Sequence, residues 1–216
     1  MEELSLIQKI IVWGIPVLFA ITVHEAAHGW VAKQYGDNTA WMLGRLTLNP
    51  LKHIDPVGTI LVPGLMLAFT GFVFGWAKPV PVNTRNLRNP KHDMALVALA
   101  GPVANFLMAL AWALVIRVAI IIDTAEFSLP LMYVGVAGIT INLILALLNL
   151  LPIPPLDGSR ILSWALPGRW NRYYNQFEKY GFYLLVLLMM TSGLDVLLGY
   201  PLGIARDVFY SIAGLR

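Results

Sequence analysis

His24, Glu25 and His28 stand in the order His-Glu-Ala-Ala-His. On a helix, residues four apart share one face, so the two imidazoles can reach a single divalent ion. Glu25 projects beside them, where it can take a proton from metal-activated water without being a ligand. Zinc suits this donor chemistry, one ion per chain. The sequence has no cysteine, so a further ligand must be His, Asp or Glu. A catalytic zinc usually takes three protein ligands. The candidates for the third are His53, His92, Asp55, Asp93 and Asp157.

Asp157 stands out by its setting, Asn149-Leu-Leu-Pro-Ile-Pro-Pro-Leu-Asp157-Gly158. Three prolines cannot continue a regular helix. Irregular backbone at membrane depth is tolerated only where it lines protein or a water-filled cavity. An acid placed there needs a partner, and a zinc ion is an adequate one. His53 and His92 lie in polar loops and read as solvated or supporting residues.

The elements that must position these residues are membrane elements. Of 216 residues, 58% are hydrophobic and only 12% charged, with a mean hydropathy of +0.69. Soluble domains carry about 25% charged residues, so an ordinary soluble globule, a disordered chain and a nucleic-acid module are all excluded. The net charge of +3 fits basic cytoplasmic loops rather than a polyanion partner. About 20 apolar residues span a bilayer as a helix. Four stretches qualify, about residues 10–31, 94–122, 131–151 and 180–200. A fifth, about 57–77, carries Gly58, Pro63, Gly64, Gly71 and Gly75, a density that suggests a re-entrant segment or a bent fifth span. The first stretch begins acidic and lacks a small-residue cleavage site, so it is expected to be retained rather than removed as a signal peptide.

The expected fold is an all-α polytopic membrane protein, residues 1–216 forming one integral membrane domain. Short extended pieces are expected at 46–48 and 80–82, and residues 202–216 read as a short interfacial helix.

His24–His28 followed by the NLLPIPPLDG segment resembles the site-2 proteases, peptidase family M50. Gly101-Pro-Val-Ala-Asn105 and Gly44-Arg-Leu-Thr-Leu-Asn-Pro50 fit the same pattern. The resemblance covers about residues 10–165 and implies a compact form without PDZ or CBS domains. It implies His24, His28 and Asp157 as zinc ligands and Glu25 as the catalytic base. Asn149 would help hold substrate or an oxyanion, Asn105 is either a second such candidate or a helix-packing residue, and the loop after the first span would steer substrate as a strand. The expected partners are a membrane-protein substrate and the lipid bilayer, without nucleic acid. A metal transporter is the alternative, although the other spans lack the succession of polar residues that a transport path needs.

Charge distribution then orients the chain. If 57–77 leaves and returns on one side, eleven Lys and Arg face that side and three the other. If it spans, the split is nine to five. The positive-inside rule favours the first arrangement. It also brings the His24 and Asp157 ends of their spans to one depth, as a shared ion requires. The amino terminus is therefore expected outside the cell membrane and the site toward the cytoplasm.

Overall fold

The computed structural model describes residues 4–62, 64–66 and 75–215. Its regular elements are helical. Helix α1 runs Leu6–Gln34, opened by a reciprocal cap in which Ser5 Oγ accepts from the Gln8 amide and Gln8 Oε1 from the Ser5 amide. It stops where Gly36 turns left-handed, at φ 109°. A single-turn helix α2, Thr39–Met42, follows. Helices α3, Pro90–Ile122, and α4, Ala125–Asn149, form a tight pair. The short α5, Asp157–Ala165, leads to α6, Gly168–Met190, and α7, Gly193–Ala213.

Among the described residues, three helices are long and apolar enough to cross a membrane: α1, α3 and α4. Helices α6 and α7 qualify as a fourth span only when taken together, and they are bent by 78°. The chain is a multi-pass membrane protein. The continuous helix expected at 180–200 is interrupted. Thr191 takes an extended backbone, its hydroxyl donates to the Leu187 carbonyl at 3.0 Å, and Gly193 follows in close contact with Leu188. A hydroxyl satisfying the last carbonyls allows a helix to end in an apolar stretch. The carboxyl-terminal helix consequently begins before residue 202 and packs inward: Ala213 joins Ala109, Ala113, Ile116, Ile139 and Leu143 in the core.

The middle of the 57–77 segment lies outside the described residues. Its two ends meet. The Trp76 amide donates to the Gly58 carbonyl at 3.0 Å, and Thr59 Oγ1 donates to the Trp76 carbonyl at 2.8 Å. Residues 46–48 and 80–82 form no ladder among the described residues, although 77–83 run without helix. That run is a strap laid across α1 and fastened at several points. The Lys78 amide donates to the His53 carbonyl, the Arg45 guanidinium to the Lys78 carbonyl, and the Arg88 amide to the Tyr35 carbonyl.

Candidate metal centre and active site

His24 and His28 are both buried on the face of α1 that meets α3. Their rings meet edge to face, centroids 4.6 Å apart. Small residues let the helices approach this closely. A Cβ on Gly101 would come within 2.5–2.6 Å of both imidazoles, so only glycine can floor the site. Pro102 next to it removes one amide from the same turn.

Each imidazole is held by its Nδ1. His28 Nδ1 lies 2.7 Å from the Val97 carbonyl oxygen, and His24 Nδ1 lies 2.6 Å from Asn105 Oδ1. Both partners are oxygens, so both Nδ1 atoms carry a proton, and in the neutral, metal-binding form of each ring Nε2 keeps the lone pair. The two Nε2 atoms face each other at 3.0 Å. Asp157 Oδ2 closes the triangle, 3.2 Å from His24 Nε2 and 3.3 Å from His28 Nε2. That oxygen is buried and has no hydrogen-bond donor.

Three proton-free donor atoms converging in a buried place are mutually repulsive unless a cation lies among them. Ligands about 2.0–2.1 Å from a tetrahedral zinc are separated from each other by roughly 3.3–3.4 Å, close to the spacings here. The donor set fits zinc. Asp157 follows the proline run, which is tied down where Tyr174 Oη donates to the Pro152 carbonyl. Gly158 approaches the Leu150 and Leu151 carbonyls more closely than any Cβ would allow. The acid therefore sits in the first turn of α5, where the helix dipole favours a carboxylate.

Glu25 also lies within ligand reach, since His24, Glu25 and His28 offer donor atoms within 4.8 Å of one another. Its Oε2, however, accepts a hydrogen bond from the Val80 amide of the strap at 2.7 Å. The strap itself is clasped by Asp37. Asp37 Oδ2 accepts from the Asn83 amide at 2.7 Å, and Oδ1 from Asn86 Nδ2 and from the Thr39 amide and hydroxyl. Burial opposes the charge of Asp37, but the Thr39, Asn86 and Asn83 donors outweigh it and hold the carboxyl below the usual range.

The remaining predicted residues are placed as follows. Both hydrogens of the Asn105 amide nitrogen are engaged, toward the Ala20 carbonyl and Asn142 Oδ1. Asn149 Nδ2 donates to the Leu145 carbonyl of its own helix. His53 is buried with Nε2 on the Thr47 carbonyl. Asp55 caps the turn at Val57–Gly58, and Asp93 accepts from the Asn89 amide and contacts His92. Asp37 and Gly101 were not singled out from the sequence as working residues, since the partners that define them lie far along the chain. Gly101 carried one signal, its place in the Gly-Pro-Val-Ala-Asn segment.

The sequence profile of peptidase family M50 matches residues 115–192, which include Asp157. The chain is 41% identical over 196 residues to YwhC of Bacillus subtilis, named as a proposed zinc metalloprotease, covering 89% of this chain and 86% of that one. It is 30% identical over 193 residues to Rip2 of Mycobacterium tuberculosis, named in the same way, covering 89% and 70%. No solved structure matches. A relative this similar over nearly its full length, with a His/His/Asp donor set beside a glutamate, places the chain in peptidase family M50, the site-2 protease family of metalloproteases.

Proposed function

We propose that this chain is an intramembrane zinc metalloendopeptidase that cleaves transmembrane segments of membrane-protein substrates. The observation that carries this reading is the convergence of His24 Nε2, His28 Nε2 and Asp157 Oδ2 beside the Glu25 carboxylate. Residues 1–216 act as one membrane domain.

His24, His28 and Asp157 hold the metal. When bound, zinc supplies Lewis-acid chemistry, acidifying water toward a pKa of about 7 and polarising a carbonyl. Glu25 removes the proton from the attacking water at one carboxylate oxygen while Val80 holds the other, and then delivers it to the leaving amide nitrogen. Asn105 and Val97 keep the imidazoles in register. Asn149 is the proposed donor to the developing oxyanion, through the amide hydrogen that the Leu145 carbonyl does not take.

A substrate helix hides its peptide groups in its own hydrogen bonds, so it must unwind to be cut. The non-helical 77–83 strap offers a backbone edge for an unwound segment to join. It crosses α1 at Glu25, next to the bond to be broken.

The meeting of Gly58 and Trp76 supports a segment that enters and returns on one side. Helices α6 and α7 then serve as a bent fourth span. This gives four crossings, an outside amino terminus and a site in the cytoplasmic half of the cell membrane. A reporter fused after Trp76 should read as cytoplasmic, and an extracellular reading contradicts the arrangement.

Glu25→Gln in purified protein separates this reading from metal transport. Zinc content should stay that of the wild type, while cleavage of a membrane substrate falls by about 10²–10⁴-fold. Full cleavage by the variant would remove Glu25 as the base. Loss of zinc would make it a ligand instead.

A further inference from the structure

His28 and His24 are fixed by different kinds of acceptor. Val97 presents a backbone carbonyl, which can only accept. Asn105 presents a side-chain amide, whose oxygen and nitrogen change places on a half turn of the terminal group. With the nitrogen toward His24, the ring would have to accept at Nδ1. Its proton would then sit on Nε2, the atom that faces His28 and Asp157. The metal donor at His24 therefore depends on which way one amide points.

Asn142 on helix α4 and, over a longer bond, the Ala20 carbonyl decide it. Asn142 is completely buried, and its Nδ2 donates to the Gly138 carbonyl at 2.8 Å. A carbonyl only accepts, so the nitrogen is fixed on that side and Oδ1 is turned toward α3. That oxygen accepts from Asn105 Nδ2 at 2.9 Å. The same Asn105 nitrogen also reaches the Ala20 carbonyl of α1, at 3.3 Å. Asn105 Oδ1 is left facing His24. Every bond runs in one direction: His24 donates to Asn105, Asn105 to Asn142, and Asn142 to the backbone of α4. Hydrogen bonds aligned this way polarise one another in a low-dielectric interior.

We propose that Asn142 is a positioning residue of the metal centre. Acting through Asn105, it fixes the Nδ1–H form of His24 and keeps Nε2 free as a donor, without touching metal or substrate. The proposal rests on the zinc reading of His24, His28 and Asp157. A pair of asparagines that only glues α3 to α4 would serve stability equally well. It would have no reason to alter metal affinity.

Zinc affinity of the purified full-length protein, measured by chelator competition, tests the relay. Asn142→Leu keeps the side-chain size and removes both bonds. It should weaken zinc binding about tenfold, the lower end of what supporting residues around metal ligands cost, with helical content unchanged. Asn142→Ala, which opens a gap instead of filling it, should move affinity the same way and carries the test should the leucine variant not fold. In zinc-free, histidine-¹⁵N-labelled protein, wild-type His24 should report the Nδ1–H tautomer and Asn142→Ala a mixture. His28, held by Val97, should be unchanged in both. Wild-type zinc affinity in the Asn142 variants would overturn the relay while leaving the zinc site standing. A wild-type protein that binds no zinc would overturn both.

Discussion

The helical layer that carries the metal donors and the loop layer that touches Glu25 are held by different forces. His24 and His28 sit between α1 and α3, where buried small residues such as Ala20, Ala98 and Gly101 bring backbones close. Their supports come from helix interiors, and any error is transmitted directly to both rings. The strap from Ala77 to Asn83 buries the Val80 side chain alone and is otherwise attached by hydrogen bonds, to His53, Glu25, Asp37 and Arg45. Few buried apolar contacts and many backbone bonds mark a region that can open locally without global unfolding. The contrast separates two tasks. Donors for a metal require rigid placement, whereas a polypeptide substrate requires an edge that can yield.

Damage to the helical layer should therefore weaken metal binding, and damage to the strap should spare it. The largest effect is expected from Gly101→Ala. The added methyl meets both imidazoles and cannot swing away, so overpacking of about 1–3 kcal/mol should lower zinc affinity by up to about a hundredfold. Chelator competition measures it, and unchanged affinity would contradict the close-packed floor.

Next comes Asp37→Asn, which places an amide hydrogen against the Asn83 amide and opens the clasp. The expected cost is about 1–3 kcal/mol in strap docking, read as roughly tenfold slower cleavage with zinc content unaltered. Zinc lost along with activity would merge the two layers into one. Asp37 also gives a pH signature. Its folded carboxyl lies below the usual range, so its stabilisation is present above the unfolded value near 3.9 and fades as pH falls through the lower folded value. Thermal unfolding of wild type and Asp37→Asn should differ at pH 6 and converge on strong acidification. A gap that persists in strong acid would contradict the charge-dependent clasp.

A smaller effect is expected from Arg45→Met, which removes the bond to the Lys78 carbonyl at 2.9 Å. About 0.5–1.5 kcal/mol should slow cleavage by a few-fold and leave zinc affinity intact. The smallest belongs to Glu178→Gln. Its ion pair with Arg160, at 2.6 Å, is open to solvent, with both side chains 41% exposed. Such a pair contributes about 0–1 kcal/mol, and cleavage should not change.

How much of this was legible in the sequence follows from how local each feature is. His24, Glu25 and His28 are set by helical periodicity alone, and α1, α3 and α4 by runs of apolar residues. Asp157 could be singled out because prolines exclude other local structures around it. Partnerships across the fold were not legible. Asp37 has no distinguishing setting in the sequence until Asn83 and Asn86 are brought against it, and Gly101 stands only as part of the Gly-Pro-Val-Ala-Asn segment until the imidazoles fill its missing side chain. The interruption at Thr191 did carry a local signal, Thr191-Ser192-Gly193 with Asp195 behind it, turn-forming residues that the long apolar runs on either side outweigh in a reading by hydropathy. Asn149 follows the motif in sequence, yet its amide turns back to Leu145, a rotamer that spacing does not encode.

The central claim is that two imidazoles of α1 and the carboxylate of α5 form one zinc site with Glu25 outside it. X-ray absorption at the zinc edge of purified protein tests it most directly. Two imidazole nitrogens and a carboxylate oxygen are expected at roughly 2.0–2.2 Å, in a spectrum altered by Asp157→Asn and unchanged by Glu25→Gln. A spectrum that changes with Glu25 and not with Asp157 would contradict it.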